Sequence, residues 1–111
     1  MGHPGVAVVR RLLDQHSGQR WTLNELSREV GLAPGYLAAL FTREVGMAPH
    51  RCLNERRVRQ AQYLLATGDL PVTAIGLEVG FGSGQHFARG FRQITGNSPG
   101  AHRRAARRAQ P

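Results

Sequence analysis

The chain carries one pattern twice. Val30-Gly31-Leu32, followed by Leu37, Phe41, Gly46 and Pro49, returns as Val79-Gly80-Phe81, followed by Phe87, Phe91, Gly96 and Pro99. The offset is 49 residues before the turn and 50 after it, so the second copy has one more residue in its turn. A repeat of this length limits the fold to two similar units in tandem. Each copy reads as a short helix, a glycine turn and a second helix with an apolar stripe.

The remaining signals are also helical. A first helix is expected from about Val6 to His16, with Val6, Val9, Leu12 and Leu13 on one face. Thr22 or Asn24 caps a second helix, Leu23 to Val30, whose inward positions are Leu23, Leu26 and Val30. Gly31 ends it, where the backbone must turn with positive φ. Pro34 opens a third helix to about Val45, with Leu37, Leu40 and Phe41 inward. The longest helix runs from Pro49 to about Thr67, with Leu53, Val58, Ala61, Leu64 and Leu65 as its stripe and Glu55–Arg59 as an i,i+4 ion pair. Val72 to Val79 and Gln85 to Thr95 repeat the second and third helices. A last helix starts at Pro99 and frays within Arg103 to Arg108. The expected fold is all-α, with seven helices in two helix-turn-helix lobes joined by a long linker helix. Residues 1–50 form the first lobe, 51–67 the linker, and 68–111 the second lobe with a basic tail.

Charge narrows the partner. Fifteen Arg and no Lys stand against seven acidic residues, for a net charge of +8. Residues 1–70 carry +3 and residues 71–111 carry +5, with Glu78 the only acid in the latter. Such a balance favours a polyanion. In a helix-turn-helix the second helix enters the major groove and its exposed early residues face base edges. Those residues are Tyr36, Thr42 and Arg43 in the first copy, together with Gly35, Ala38 and Ala39. In the second they are Gln85, His86, Arg89, Arg92 and Gln93, behind Ser83 in the turn. Arg pairs bidentately with guanine and Gln with adenine, so the second set is the better base reader. Ala39 and Arg89 occupy matching positions. The helix-start amides of both motifs suit phosphates.

Other chemistries lack support. The five histidines show no metal-binding spacing within a helix, and one cysteine, Cys52, makes neither a disulfide nor a cysteine zinc site. Gly80-Phe81-Gly82-Ser83-Gly84 lacks the Lys-Ser/Thr ending of a nucleotide loop. No catalytic pair or triad argues for an enzyme, and no cofactor is expected. Trp21 and Cys52 read as core, and Arg57 as a structural ion-pairing residue. No apolar run spans a membrane, and Arg10-Arg11 follow the first apolar stretch, which is the wrong order for a signal peptide. A cytoplasmic location suits the free thiol. The chief rival is a helical protein-interaction module with weak, nonspecific DNA affinity.

The stretch Leu23 to Arg103 closely resembles the DNA-binding domain of the AraC/XylS family of bacterial transcription regulators. The first half matches in Leu26-Ser27, Gly31-Leu32, Pro34, Leu37, Leu40-Phe41, Gly46, Pro49, Leu53, Arg57-Val58, Ala61 and Leu64-Leu65. The second matches in Val72, Ile75, Val79-Gly80-Phe81, Phe87, Arg89, Phe91-Arg92, Gly96 and Ser98-Pro99. The resemblance implies promoter binding by double-stranded DNA recognition and, usually, activation through RNA polymerase. Relatives usually carry a further effector-binding or dimerisation domain. With no room for one, this chain is expected to be a fragment or a small stand-alone member, monomeric as a fragment, with any dimerisation supplied by the missing domain. Four departures stand out: Ala33 for Ser, Ala39 for Arg, Gly76 for Ala and His102 for Tyr. On helix propensity alone Gly76 costs about 1 kcal/mol relative to Ala.

Overall fold

The computed structural model describes residues 2–110. Seven helices account for its regular structure: α1 (Pro4–Gln15), α2 (Leu23–Val30), α3 (Pro34–Val45), α4 (Pro49–Thr67), α5 (Val72–Glu78), α6 (Gly84–Thr95) and α7 (Pro99–Arg108). No strand occurs among the described residues. The all-α, double helix-turn-helix expectation holds.

Capping chemistry sets the boundaries. The Thr22 hydroxyl oxygen accepts the Glu25 N–H at 3.1 Å while the Glu25 carboxylate accepts the Thr22 N–H at 3.3 Å. Thr22, not Asn24, is thus the cap of α2, in a reciprocal box that satisfies two orphan donors. His3 caps α1, its Nδ1 accepting the Gly5 N–H at 2.9 Å, so α1 begins at Pro4, two residues before the position expected. Gly31 and Gly80 hold φ of +69° and +116°, a turn that an L side chain resists.

The chain forms two compact units, one running to Arg56 and the other starting at Arg57. The boundary lies inside α4, which therefore serves two cores. In the first unit Cys52 and Leu53 of α4 join Val6, Val9 and Leu13 of α1, Leu26 of α2, and Leu37, Leu40 and Phe41 of α3. In the second, Val58, Ala61 and Leu65 of α4 pack with Ile75, Val79, Phe81, Phe87 and Phe91. Trp21 packs partly buried against the first core, its indole N–H donating to the His16 carbonyl at 3.0 Å. Burial pushes the Cys52 thiol above its ordinary pKa, against the opposing pull of Arg56 and Arg10. The thiol stays protonated at neutral pH.

The two cores solve one packing problem differently. In the first, Ser27 and Leu37 occupy the positions that Gly76 and Phe87 hold in the second, and Leu32 and Leu40 those of Phe81 and Gly90. A Cβ at Gly76 would fall 2.6 Å from Cγ and Cδ2 of Phe87, and one at Gly90 would fall 3.0 Å from the Phe81 ring. The second unit thus trades backbone bulk for rings. Phe81 and Phe87 lie 5.3 Å apart, and Phe87 and Phe91 5.7 Å apart with an edge-on approach. Read by helix propensity, Gly76 is a liability; in the fold it is what lets Phe87 approach α5.

Three other expectations change. Leu23, at the first position of α2, is 37% exposed, and Leu26 and Ser27 are the buried residues of that helix. Glu55 pairs backward with Arg51 at 3.7 Å rather than forward with Arg59. The last helix does not fray within Arg103 to Arg108. Arg103 Nε donates to the Leu65 carbonyl at 3.2 Å, and Arg107 Nη2 donates to the Gly68 carbonyl and to Asp69, both at 2.8 Å. These bonds fasten α7 to the carbonyl-rich end of α4, where cations are favoured.

Candidate nucleic-acid interface

Each candidate residue sits where expected, Ser83 in the turn before α6 and the others on α3 or α6, and the candidates fall into two groups. Ser83, Gln85, His86, Arg89 and Arg92 belong to the second unit; Tyr36, Thr42 and Arg43 belong to the first. In the second unit the buried face of α6 is Phe87, Gly90 and Phe91, which turns Gln85, His86, Arg89 and Arg92 to solvent. At about 100° per residue, Gln85, Arg89 and Arg92 fall within a stripe roughly 60° wide, with His86 on its flank. Among the described residues Arg89 and Arg92 make no hydrogen bond or ion pair, so their donor forks are available.

Ser83 organises the start of this helix. Its oxygen accepts the His86 N–H at 3.1 Å, which leaves its own hydroxyl hydrogen free to donate outward. Thr73 crowds the same turn: a Cβ at Gly84 would approach its γ-methyl to 3.0 Å. Gly84, the match of Pro34, therefore lies close to α5, and α6 starts there, one residue before the position expected.

The first unit presents a different face. Phe41, Leu37 and Leu40 are buried, so α3 is oriented as expected. The stripe that matches Gln85, Arg89 and Arg92 consists of Gly35, Ala39 and Thr42. The Thr42 hydroxyl donates to the Ala38 carbonyl at 2.8 Å, which commits its hydrogen to the helix itself. Tyr36, 54% exposed, and Arg43, also exposed, align beside the stripe seven residues apart. Ala33 offers no side-chain cap to α3. The first unit thus lacks the long hydrogen-bonding side chains that the second presents in its stripe.

Arg57 stands apart from both groups. It is 5% exposed, with its guanidinium carbon 5.5 Å from the centroid of the Phe81 ring. Its burial suits the structural role expected for it, with an aromatic ring as one partner. Sequence reasoning missed the fastening role of Arg103 and Arg107. The available signal was their i,i+4 spacing in a helix with no acid of its own. Among the described residues, no three of His, Cys, Asp and Glu gather as metal ligands would.

Comparison with known proteins fits this arrangement. A family model described as a helix-turn-helix domain matches residues 26–105. The DNA-binding domain of AdpA, solved in complex with a target DNA, superposes with a TM-score of 0.87 at 31% identity, covering 98% of this chain and 100% of that one. A probable AraC family transcriptional regulator from Rhodopseudomonas palustris gives a TM-score of 0.81 at 26% identity, covering 98% of this chain and 100% of that one. The chain belongs to the AraC-type helix-turn-helix family. Within that family, the HTH-type transcriptional regulator ExsA of Pseudomonas aeruginosa is 30% identical over 98 residues, which is 88% of this chain and 35% of the relative. This AraC-type chain spans about a third of the length of the curated relatives first matched. No helix among the described residues is long and apolar enough to cross a membrane.

Proposed function

We propose that this AraC-type chain binds double-stranded DNA in a sequence-specific way, as the DNA-binding domain of a bacterial transcription regulator. The observation that carries the reading is the solvent-facing stripe of Gln85, Arg89 and Arg92 on α6, with the helix held from behind by three buried residues. A helix so presented fits the major groove, where Arg reads guanine and Gln reads adenine. Arg89 is the principal base reader, with Gln85, His86 and Arg92 around it. Ser83 and the amides at the start of α6 hold a phosphate. Tyr36, Thr42 and Arg43 contribute less specificity, because the matching stripe of α3 holds Gly35 and Ala39.

The rest of the reading concerns the longer regulator. It acts in the cytoplasm by recognition and not by turnover, touches RNA polymerase at the promoter, and dimerises through segments outside this chain. Selection from random duplexes, followed by titration of the enriched sequence against salt, tests the proposal. The expected result is one preferred motif bound with a steep salt dependence. Failure to enrich any sequence would leave the chain a protein-interaction module.

A further inference from the structure

The second unit carries more positive charge than its recognition helix can use. From Arg57 onward the chain has eight Arg against Asp69 and Glu78, for +6, whereas residues 1–56 have seven Arg against five acids, for +2. Four of those eight, Arg103, Arg104, Arg107 and Arg108, lie on α7, which has no acid.

These four divide into two pairs. Arg103 and Arg107 are spent on α4, through the Leu65 and Gly68 carbonyls and Asp69. Arg104 and Arg108 lie about 100° further round the helix, exposed, and make no hydrogen bond or ion pair among the described residues. Two like charges at i,i+4 weaken a helix. The helix dipole accounts for Arg108, in the last turn, but its influence fades within that turn and does not reach Arg104. Arg104 instead lies back along α7: its Nη1 is 3.5 Å from where a Gly100 Cβ would stand, beside the turn that leaves α6. There α7 packs on the recognition helix, with the His102 ring edge-on to Phe91 at 5.5 Å.

We infer that Arg104 and Arg108 form a phosphate-binding face on α7, which extends the second unit's contact with DNA beyond the residues that read bases. This inference rests on the DNA reading above and adds to it a sequence-independent anchor. The anchor sits on a helix held rigidly by Arg103 and Arg107. Less side-chain and backbone freedom is then lost when the duplex arrives.

The test is a salt series on the whole chain with a mixed-sequence DNA duplex, each protein also being melted thermally. For Arg104→Gln/Arg108→Gln, the plot of log binding constant against log salt should become shallower by about 1.8, since each neutralised phosphate contributes about 0.9. Its melting temperature and selected motif should match the parent's. Arg104→Lys/Arg108→Lys should keep the parental slope, because a phosphate needs the charge and not the guanidinium fork. Arg103→Gln should lower the melting temperature and leave the slope alone. A parental slope in the glutamine variant, or a loss of slope in the lysine variant, would overturn the phosphate assignment and leave the DNA reading intact. A parent with no affinity for duplex at low salt would overturn both.

Discussion

Gly76 and Phe87 meet so closely that neither can be judged alone. Alanine is the better helix former by about 1 kcal/mol. Its methyl at position 76, however, would lie 2.6 Å from the Phe87 ring, and overpacking of a filled core costs about 1–3 kcal/mol. Gly76→Ala should therefore lower the melting temperature. Gly76→Ala/Phe87→Leu should melt higher than Gly76→Ala, because Leu37 already coexists with a Cβ at Ser27 in the first unit. A single variant that melted above the parent would show that α5 moves away freely. Arg89 is a different kind of residue, exposed and without a partner among the described residues. Arg89→Ala should weaken specific binding by about 1–3 kcal/mol and relax preference at one base pair, measured by titrating duplexes with each base at that position. Arg89 stands out in the sequence because its partner across the repeat, Ala39, is so unlike it. Gly76 was misread because its reason lies in a ring eleven residues away, and propensity scales contain no neighbours.

Helices whose ends carry their own chemistry were read closely. Thr22 with Glu25, Pro34, Ser83 and the turn glycines bound α2, α3 and α6 to within a residue. The last helix was not legible in the same way, because what keeps α7 helical through Arg108 is its hold on carbonyls 35 to 39 positions earlier in the chain. Inward faces were mostly visible in the periodicity, and Phe41 and Phe91 are both 0% exposed at matching positions. Truncating such a ring typically costs 3–5 kcal/mol. A unit of about 50 residues has little stability in reserve. Phe91 also supports Phe87 and the His102 ring. Phe91→Ala should unfold the second unit and abolish specific binding without removing any DNA contact. Phe41→Ala should damage the first unit and spare part of the second unit's base preference. Calorimetry with duplex titration would check both. A Phe91→Ala protein that melts like the parent would mean that the inward face of α6 is wrongly assigned, and its base readers with it.

For the whole molecule, the repeat, the charge and the glycine turns were enough to expect two helix-turn-helix units on a basic chain. The sequence did not reveal that α4, read as a linker, is divided between two cores. An apolar stripe records that a face is buried, not which partner buries it. The 19 residues of α4 make a rod roughly 28 Å long. If both units engage one duplex, a single chain should protect two successive major grooves about 34 Å apart. Protection of one groove at saturation, in a footprinting experiment, would reject this. The continuity of α4 also bears on how the protein can be taken apart. Proteases take extended chain, and they open multi-unit proteins at exposed, flexible connections. Here the dividing line at Arg56 and Arg57 is regular helix with packed residues on both sides. Unwinding it for cleavage would strip Leu53 from one core and Val58 from the other at the same moment. The place where the molecule divides in two is thus among the last a protease would reach, and half-sized fragments should not accumulate on digestion.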